Sequence, residues 1–536
     1  MSESVQPVLI VGGGPVGLAL AGDLGWRGIS CLLIEQSDGS IYQPRMDLVG
    51  VRTMEFCRRW GLVPAVEASP YPRDYAQDNV YVTSLTGHEL GRERFPGIGQ
   101  APPPPQSPQR RERCPQNMFD PILRAFAASQ PNVNLRYRTR LLSFTQSADR
   151  VTAVVENAAT GAREEIAARY IVGCDGARST VRETLGIAMH GNPVLTYTTN
   201  VIFRCPHLLS LHDNGKAYRH ILIGPQGTWA TIVAINGRDE WRFSIIGGAE
   251  QREYSAEEIE AAIRRAVGCD FAFEILSVQP WVRRELVAER YDEGRGFIAG
   301  DAAHVMSPTG GFGMNTGIGD AVDLSWKLAA VLEGWGGDKL LHSYGIERQP
   351  VGARNVAEAG GNLRRMLGVG PYPDLLDATP QGAATRAKVG HEFSATMRRE
   401  WFTLGIHLGH RYEGSPICRP DGTPRQPDDA KTYAPTARPG HRAPHAWLAD
   451  GRSTLDLFGR GFALFGFGAA ATEAAPLLAA ARRRRVPMTF HRIMEPQIAA
   501  LYERKFVLVR PDGHVAWRDD GIPQDAAALI DVVRGA

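Results

Sequence analysis

The 536-residue sequence predicts a mixed α/β fold followed by a smaller α/β domain. Three observations predict it. Strand, glycine-rich loop, helix and strand follow one another from Val8 to Glu35, which is the pattern of a βαβ unit. Apolar and polar residues then alternate from about Thr196 to Val287, as they do in an antiparallel sheet with one buried face. From about Arg438 onward the chain shows a separate order of strands, helices and a hairpin.

Composition indicates an ordinary globular surface. The hydrophobic content is 43% and the formal net charge is +2, so the basic excess typical of nucleic-acid binding is missing. The basic run Arg482 to Arg485 is interpreted as the solvated end of a helix. Seven cysteines include no C-x-x-C pair, which predicts reduced thiols and no metal site. No signal peptide or membrane-length apolar run is seen, so a cytoplasmic protein without a membrane partner is expected.

The first element pair surrounds a Gly-x-Gly-x-x-Gly loop. An apolar strand covers Val8 to Val11, an amphipathic helix covers Pro15 to Arg27, and a second strand ends at Glu35. Such a loop turns tightly, lets backbone amides approach a pyrophosphate, and presents the helix N-terminus to the phosphate charge. The acidic residue at the end of the second strand can accept ribose hydroxyls. A dinucleotide site is therefore predicted, and NAD and FAD both fit it.

The middle of the chain contains further elements. A Pro-rich stretch from Ala101 to Gln109 is interpreted as a mobile linker. The other predicted elements are a helix over Gln116 to Ser129, strands over Leu135 to Tyr137, Val151 to Glu156 and Tyr170 to Cys174, and a long helix over Met314 to Trp335.

Two later stretches favour FAD. In the first, a buried strand ends at Asp175-Gly176; in the second, a strand ends at Gly300-Asp301 before a Pro- and Gly-rich loop. Asp301 can bind a ribityl hydroxyl. The backbone amides near Gly313, Met314 and Asn315, at the start of the next helix, can face an electron-rich ring edge and stabilise a reduced, anionic isoalloxazine.

With these motifs in order, the whole chain resembles the single-component (class A) flavoprotein aromatic hydroxylases. The motifs are Gly12 to Gly17, Asp175-Gly176 and Gly300-Asp301. The segments GDAAH and SPTGGFGMNTGIGDA look closest to those of phenol-type hydroxylases and of the flavoprotein of rebeccamycin-type indolocarbazole biosynthesis. Similarity to the flavoprotein of rebeccamycin-type indolocarbazole biosynthesis extends into the tail, through GIHLGHRYEGSPI and LVRPDGHVAWR.

The resemblance implies a domain plan. A Rossmann-like FAD-binding domain of the glutathione reductase type would comprise residues 1–72, 105–185 and 286–395, and an inserted β-sheet substrate domain would comprise 73–104 and 186–285. Residues 396–536 would form a linker and a thioredoxin-like C-terminal domain. Because that domain has no C-x-x-C, packing or a homodimer contact is its expected role.

The resemblance also implies the cofactor contacts. Pyrophosphate is expected at the glycine loop, adenosine ribose at Glu35, and both FAD and the pyridine nucleotide at Asp175. Pro308 is expected on the side of the flavin where oxygen reacts. The full set is Gly12, Gly14, Pro15, Val16, Gly17, Glu35, Gln36, Arg45, Gln116, Asp175, Asp301, Pro308, Gly313, Met314 and Asn315.

The implied reaction is reduction of FAD by NADH or NADPH, capture of O2 as a flavin C4a-hydroperoxide, and transfer of its distal OH to an electron-rich ring. No second nucleotide fold is visible in the sequence. The expected partners are a small aromatic substrate and O2, with no metal.

Candidate catalytic groups come from outside the motifs. Asp47 stands five positions before Arg52 of an R-T-x-E segment, where phenol-type hydroxylases carry an acid, and a carboxylate there could deprotonate a phenol. The alternative, a turn or cap residue, is equally open at this point. Tyr218 and His220 are candidates for binding the substrate hydroxyl, with a cross-strand pair as the alternative. His304 is expected to be structural.

Three functional hypotheses result. The first is NAD(P)H-dependent hydroxylation of a phenolic or polycyclic aromatic compound. The second is an oxidative tailoring flavoenzyme for a large biosynthetic intermediate, and the third is a flavin-binding protein that sequesters a ligand without turnover. An NAD-dependent dehydrogenase is less favoured, because Asp175-Gly176 and Gly300-Asp301 would then have no purpose.

Overall fold

The computed structural model describes residues 5–368 and 370–536. The N-terminal third alternates strands and helices. Its elements are β1 Gln6–Val11, α1 Pro15–Trp26, β2 Cys31–Ile34, β3 Leu48–Val49, α2 Val51–Arg59, α3 Val63–Glu67, β4 Asn79–Val82, β5 Glu89–Glu93, β6 Glu112–Arg113, α4 Gln116–Ala128, β7 Val133–Arg136, β8 Thr139–Gln146, β9 Val151–Asn157, β10 Arg163–Gly173 and α5 Thr180–Thr184.

Long antiparallel strands follow, then long helices. These elements are β11 Met189–Arg204, β12 Arg219–Gly224, β13 Gly227–Ala234, β14 Glu240–Ile246, α6 Ala256–Val267, β15 Glu274–Ala288, β16 Asp292–Glu293, β17 Gly296–Ile298, β18 His304–Val305, α7 Gly313–Leu332, α8 Ser343–Leu367, α9 Pro380–Trp401 and α10 Leu404–Leu408. The C-terminal elements are β19 Phe462–Phe467, α11 Ala471–Arg483, β20 Met488–Ile493, α12 Pro496–Tyr502, β21 Phe506–Val509, β22 Val515–Asp519 and α13 Ala526–Val533.

The first sheet brings the three sequence motifs together. Its strands run in the order β16-β17-β10-β1-β2-β7, and β8 and β9 extend it beside β10. β1 pairs in parallel with β2 and β10, and β10 pairs in parallel with β17. Since parallel strands end at the same edge, the residues that follow β1, β10 and β17 lie side by side. Those residues are the Gly12 loop, Asp175-Gly176 and Gly300-Asp301.

The second sheet separates a core from a cavity. Its order is β18-β15-β11-β14-β13-β12-β4-β5. One face packs with α6 around buried side chains such as Val201, Leu222 and Phe243. The other face carries polar residues toward the first sheet and α9. The alternation predicted over Thr196 to Val287 is found in the strands β11 to β15. The same range of sequence also contains the helix α6, which begins at a Ser255–Glu258 capping box.

The C-terminal sheet has the order β20-β19-β21-β22, with β19 and β20 parallel and β21 antiparallel to β19. The predicted hairpin around Asp512-Gly513 is confirmed by the pairing of β21 with β22. Buried ion pairs join this sheet to α7 and α8: Arg510 lies 2.9 Å from Asp323 and also pairs with Glu347. None of the described helices is long and apolar enough to span a membrane.

The interpretation of Ala101 to Gln109 as a mobile linker is wrong for the last three residues of the stretch. Ser107 and Gln109 are buried. The Ser107 hydroxyl donates a 2.6 Å hydrogen bond to the Glu55 carboxylate, which also pairs with Arg442 of the C-terminal part. Composition alone missed this because proline favours extended chain whether or not a partner packs against it.

Candidate active site

One cavity of about 510 Å³ connects the motif edge of the first sheet with the polar face of the second. Gly12, Asp175 and Asp301 line one part of it, and Tyr218 and Arg283 line another. One cavity therefore reaches both the predicted cofactor residues and the polar face of the second sheet.

The glycines of the first motif differ in their roles. Gly12 has a φ of +109°, and a Cβ there would lie 2.3 Å from the carbonyl oxygen of Cys174. A Cβ on Gly17 would lie 2.0 Å from the carbonyl oxygen of Gly12. Both positions therefore require glycine for packing. A Cβ on Gly14 would meet no atom of the described residues within 4 Å, so this residue opens toward the cavity, as a pyrophosphate cradle requires.

Glu35 is held at the end of β2. Its carboxylate accepts hydrogen bonds from the backbone N–H of Gly13 at 2.7 Å and of Ser37 at 2.8 Å. Arg45 and Gln116 also lie together, because the Gln116 side-chain oxygen accepts the Arg45 backbone N–H at 3.0 Å. Both line the cavity beside the glycine loop, together with Pro15, Val16 and Gln36.

The two aspartates of the later motifs face different partners. Asp175 accepts hydrogen bonds from the Ser179 hydroxyl and, at 3.2 Å, from the Val181 backbone, so it orders its own turn. Asp301 is exposed to the cavity. Burial raises the pKa of Asp301, although electrostatic interactions with His304 and Arg45 lower it in part. A carboxylate in this position fits a hydroxyl-rich ligand such as the ribityl chain of FAD.

The loop before α7 is fixed by Asn315. The Asn315 side chain accepts from the Gly50 backbone at 2.7 Å and donates to the carbonyl oxygens of Leu48 and Gly311. This side chain does not line the cavity, so its predicted role can come only from its backbone amide.

Pro308, Gly313 and Met314 do line the cavity. The free first-turn amides of α7 suit an anionic ring edge. The cradle at Gly14, the exposed Asp301 carboxylate and this helix N-terminus together fit FAD.

A cluster around Asp47 stands where the cavity meets the second sheet. The Tyr218 hydroxyl donates to Asp47 Oδ2 at 2.7 Å, and Arg113 Nη1 donates to Asp47 Oδ1 at 2.6 Å. The Arg113 guanidinium lies over the Tyr218 ring, 3.6 Å from its centre. Asp47 is not a helix cap, because Gly50 occupies the N-cap of α2.

The charges of this cluster are set by its neighbours. Burial would raise the pKa of Asp47, but the Arg113 and Arg242 guanidiniums and the Tyr218 hydrogen bond outweigh it, and the pKa is lowered. Burial raises the pKa of Tyr218 well above its usual value. At neutral pH the pair is therefore a carboxylate that accepts a hydrogen bond from a neutral phenol.

His220 does not join the cavity. Along β12, Arg219 faces the cavity and His220 faces the other side of the sheet, where its ring packs edge-on against His212 with centroids 5.6 Å apart. Burial lowers the pKa of His220 to about 3. Tyr218 reaches the cavity because it precedes the strand. His304 is fully buried against Asp320 at 2.7 Å, as expected for a structural residue.

Several cavity residues had no sequence signal. Arg219 pairs with Glu400 at 2.8 Å, and Glu400 also accepts the Gly310 backbone N–H at 3.2 Å. The others are Arg111, Arg113, Arg242, Arg283 and Trp401. No fixed spacing in the sequence relates these positions. Among the described residues, no group of His, Cys, Asp and Glu could hold a metal ion.

Comparisons with known proteins agree with this geometry. The family model described as "FAD binding domain" matches residues 6–359, and the one described as "Aromatic-ring hydroxylase, C-terminal" matches residues 436–535. A putative polyketide hydroxylase of Streptomyces halstedii is 34% identical over 543 residues, which cover 96% of this chain and 93% of that protein. The tetracenomycin B2 monooxygenase-dioxygenase of Streptomyces olivaceus is 34% identical over 562 residues, covering 98% and 97%.

A solved structure extends the likeness to the whole fold. RebC, soaked with chromopyrrolic acid and containing 7-carboxy-K252c, is 41% identical with a TM-score of 0.92 over 100% of both chains. The resemblance drawn from the sequence motifs is thus confirmed. The chain belongs to the family of FAD-binding aromatic-ring hydroxylases.

Proposed function

We propose that this protein hydroxylates a phenolic, polycyclic aromatic compound, with NADH or NADPH as reductant and O2 as the source of the oxygen atom. The relatives named as hydroxylases and monooxygenases support the reaction class. The single observation that carries the phenolic substrate is the Tyr218–Asp47 hydrogen bond inside the cavity that also contains the FAD-binding residues.

Electrophilic attack on a ring is assisted when a phenol on that ring loses its proton. The Tyr218 oxygen can accept the phenol proton of a bound substrate while its own hydrogen is donated to Asp47. Arg113 and Arg242 keep Asp47 ionised, so the negative charge of Asp47 makes the Tyr218 oxygen a better acceptor. Tyr218 is therefore proposed to contact the substrate and accept its phenol proton. Asp47 is proposed to accept the hydroxyl proton of Tyr218 in turn.

FAD, when bound, supplies the two-electron transfer from NAD(P)H and the activation of O2. The residues proposed to hold it are the Gly12 to Gly17 loop, Glu35, Arg45, Gln116 and Asp301. Pro308 and the turn that leads to α7 are proposed to shape the side where oxygen reacts and to exclude water from it.

The test is spectroscopic and kinetic. Purified protein should carry FAD, and a phenolic polycyclic compound should accelerate NAD(P)H oxidation and yield a hydroxylated product. A colourless protein that FAD does not reconstitute would end the proposal. Slow NAD(P)H oxidation that no aromatic compound stimulates would favour a ligand-sequestering flavoprotein instead.

A second candidate is oxidative tailoring of a large biosynthetic intermediate. The full-length similarity to RebC at 41% identity favours it. Product analysis separates the two, because simple hydroxylation adds one oxygen atom and leaves the ring system intact.

We further propose that residues from about 438 form a thioredoxin-like domain with a packing role. A βαβ unit, a hairpin and a final helix in the strand order β20-β19-β21-β22 support that fold. All seven cysteines are free, and only Cys418 belongs to the C-terminal third. Disulfide exchange is therefore not proposed for it.

A further inference from the structure

The part of the cavity that lies between the second sheet, β6 and α9 contains more positive than negative side chains. Its carboxylates are Asp47 and Glu400. Its guanidiniums are Arg111, Arg113, Arg219, Arg242 and Arg283. A buried surplus of this kind is unfavourable unless a ligand of opposite charge completes it.

The two carboxylates are already engaged. Arg113 forms an ion pair with Asp47 at 2.6 Å, and Arg242 lies 3.7 Å from the same carboxylate. Arg219 forms an ion pair with Glu400 at 2.8 Å. Within residues 5–368 and 370–536, Arg283 forms no ion pair.

Arg283 is buried, at 5% exposure, yet it is incompletely bonded. Its Nε donates to the Thr198 hydroxyl at 3.1 Å, and its Nη1 has no hydrogen-bond partner in the described structure. Burial lowers the pKa of Arg283 to about 10, and Arg219 contributes to the lowering, so the group remains charged at neutral pH. An unpaired guanidinium in a closed site is a donor prepared for an anion.

The position of Arg283 on β15 places it in the lining of the cavity. Gln279, Trp281 and Arg283 alternate along the strand and all line the cavity. Thr198, which faces Trp281 across the β11–β15 pair, lines it too. The pyrophosphate cradle at Gly14 is on the other sheet, so the phosphates of FAD are not the anion that Arg283 would meet.

We propose that the substrate carries a carboxylate in addition to its phenol, and that Arg283 binds this carboxylate. The inference rests on the proposed function, because it concerns the same aromatic substrate. A carboxylate at Arg283 and a phenol at Tyr218 fix the ring system at two points. Two fixed points determine which carbon of the ring faces the oxygen-reactive side of the flavin site.

The test compares acids with their neutral esters. FAD-loaded protein is titrated with hydroxynaphthoates and with the corresponding methyl esters, and dissociation constants are measured by calorimetry. Each pair has the same phenol and ring system and differs in the charge. We expect at least one acid to bind about tenfold or more tightly than its ester, the size of one charge-assisted hydrogen bond.

Variants then locate the effect. Arg283→Met should abolish the preference for the acid, and Arg283→Lys should restore part of it. Arg364→Met is the matched control. Arg364 is an exposed arginine of α8 outside the cavity, and it pairs with Glu285, which lies on β15 as Arg283 does. This variant should keep the full preference. FAD content measured on each variant confirms that it is folded.

The inference is overturned if no acid binds more tightly than its ester to the wild-type protein, or if Arg283→Met keeps the preference. In either case, NAD(P)H oxidation stimulated by neutral phenols would leave the proposed function intact. Conversely, an acid preference without any stimulated NAD(P)H oxidation would retain the carboxylate site and reject the hydroxylase.

Discussion

Tyr218 donates a 2.7 Å hydrogen bond to Asp47 across 171 residues of sequence. Asp47 belongs to the segment that follows the first βαβ unit, whereas Tyr218 stands just before β12 of the second sheet. Arg113 bonds to Asp47 and covers the Tyr218 ring, so three separate segments converge on one charge. This convergence places a carboxylate and a phenol in the cavity that the proposed FAD-binding residues also line.

Replacing Asp47 by Asn should slow hydroxylation by about 10²-fold or more and divert O2 to hydrogen peroxide. The Asn side chain keeps the size but removes the charge that makes the Tyr218 oxygen a good acceptor. The measurement is the ratio of hydroxylated product to NAD(P)H consumed. Asp74→Asn, an exposed carboxylate, is the control and should leave the ratio unchanged. An unchanged ratio in Asp47→Asn would reduce Asp47 to a structural partner of Arg113.

The effects of Asp47 and Tyr218 should not be additive. Tyr218→Phe removes the hydroxyl through which Asp47 acts, so the double variant should be about as slow as the slower single variant. The rate of product formation for the four proteins checks this. Multiplied losses would mean that the two residues act on the substrate separately.

Two glycine variants should separate folding from cofactor binding. Gly14→Ala places a methyl group where none of the residues that the structure describes has an atom within 4 Å, so stability should be retained while FAD affinity falls. Gly17→Ala creates a 2.0 Å clash with the Gly12 carbonyl and should disrupt the fold itself. FAD retention and the thermal midpoint of the apoprotein are the readouts. If Gly14→Ala kept full FAD affinity, the pyrophosphate would have to lie elsewhere.

The pH dependence of stability should include a contribution from His220. The pKa of His220 is lowered to about 3, mainly by burial and in addition by electrostatic interactions with His212 and Arg92. The pKa of a histidine in an unfolded chain is about 6.5. The unfolded state therefore takes up the proton first. Stability from the neutral ring is complete above about pH 6.5 and is lost as the pH falls toward about 3, by ~1.4 kcal/mol per pH unit.

His220→Gln should make the loss of stability on acidification shallower across this window. The urea midpoint measured through the window checks it. The exposed His207 provides the control, because His207→Gln should not alter the slope. An equally steep decline in His220→Gln would assign the acid sensitivity to other buried groups.

Local patterns predicted the parallel strands and the three motifs well. Val8 to Val11 and Cys31 to Ile34 are buried on both faces, and continuous apolar runs of this kind between glycine turns are typical of the central strands of a parallel sheet. The helix predicted over Met314 to Trp335 begins one residue earlier, at Gly313, and ends three residues earlier, at Leu332.

The active-site pairings could not be predicted in this way. Asp47, Tyr218 and Arg113 meet only because the second sheet packs over the edge of the first, and no periodicity encodes that approach. His220 was selected with Tyr218 because both were placed on one strand of the substrate sheet, but Tyr218 precedes β12, and alternation within β12 points Arg219 to the cavity and His220 to the other face. The sequence contains no signal for the burial of Arg283, because an arginine on a strand usually indicates a solvent-exposed position.

The most direct test of the proposed hydroxylation is turnover with NAD(P)H and a phenolic polycyclic substrate under oxygen-18 gas, followed by mass spectrometry of the product. The account predicts one oxygen-18 atom on the aromatic ring, with the label lost to peroxide in Asp47→Asn. A product without oxygen-18, or NAD(P)H consumption that yields only hydrogen peroxide with every phenol, would contradict it.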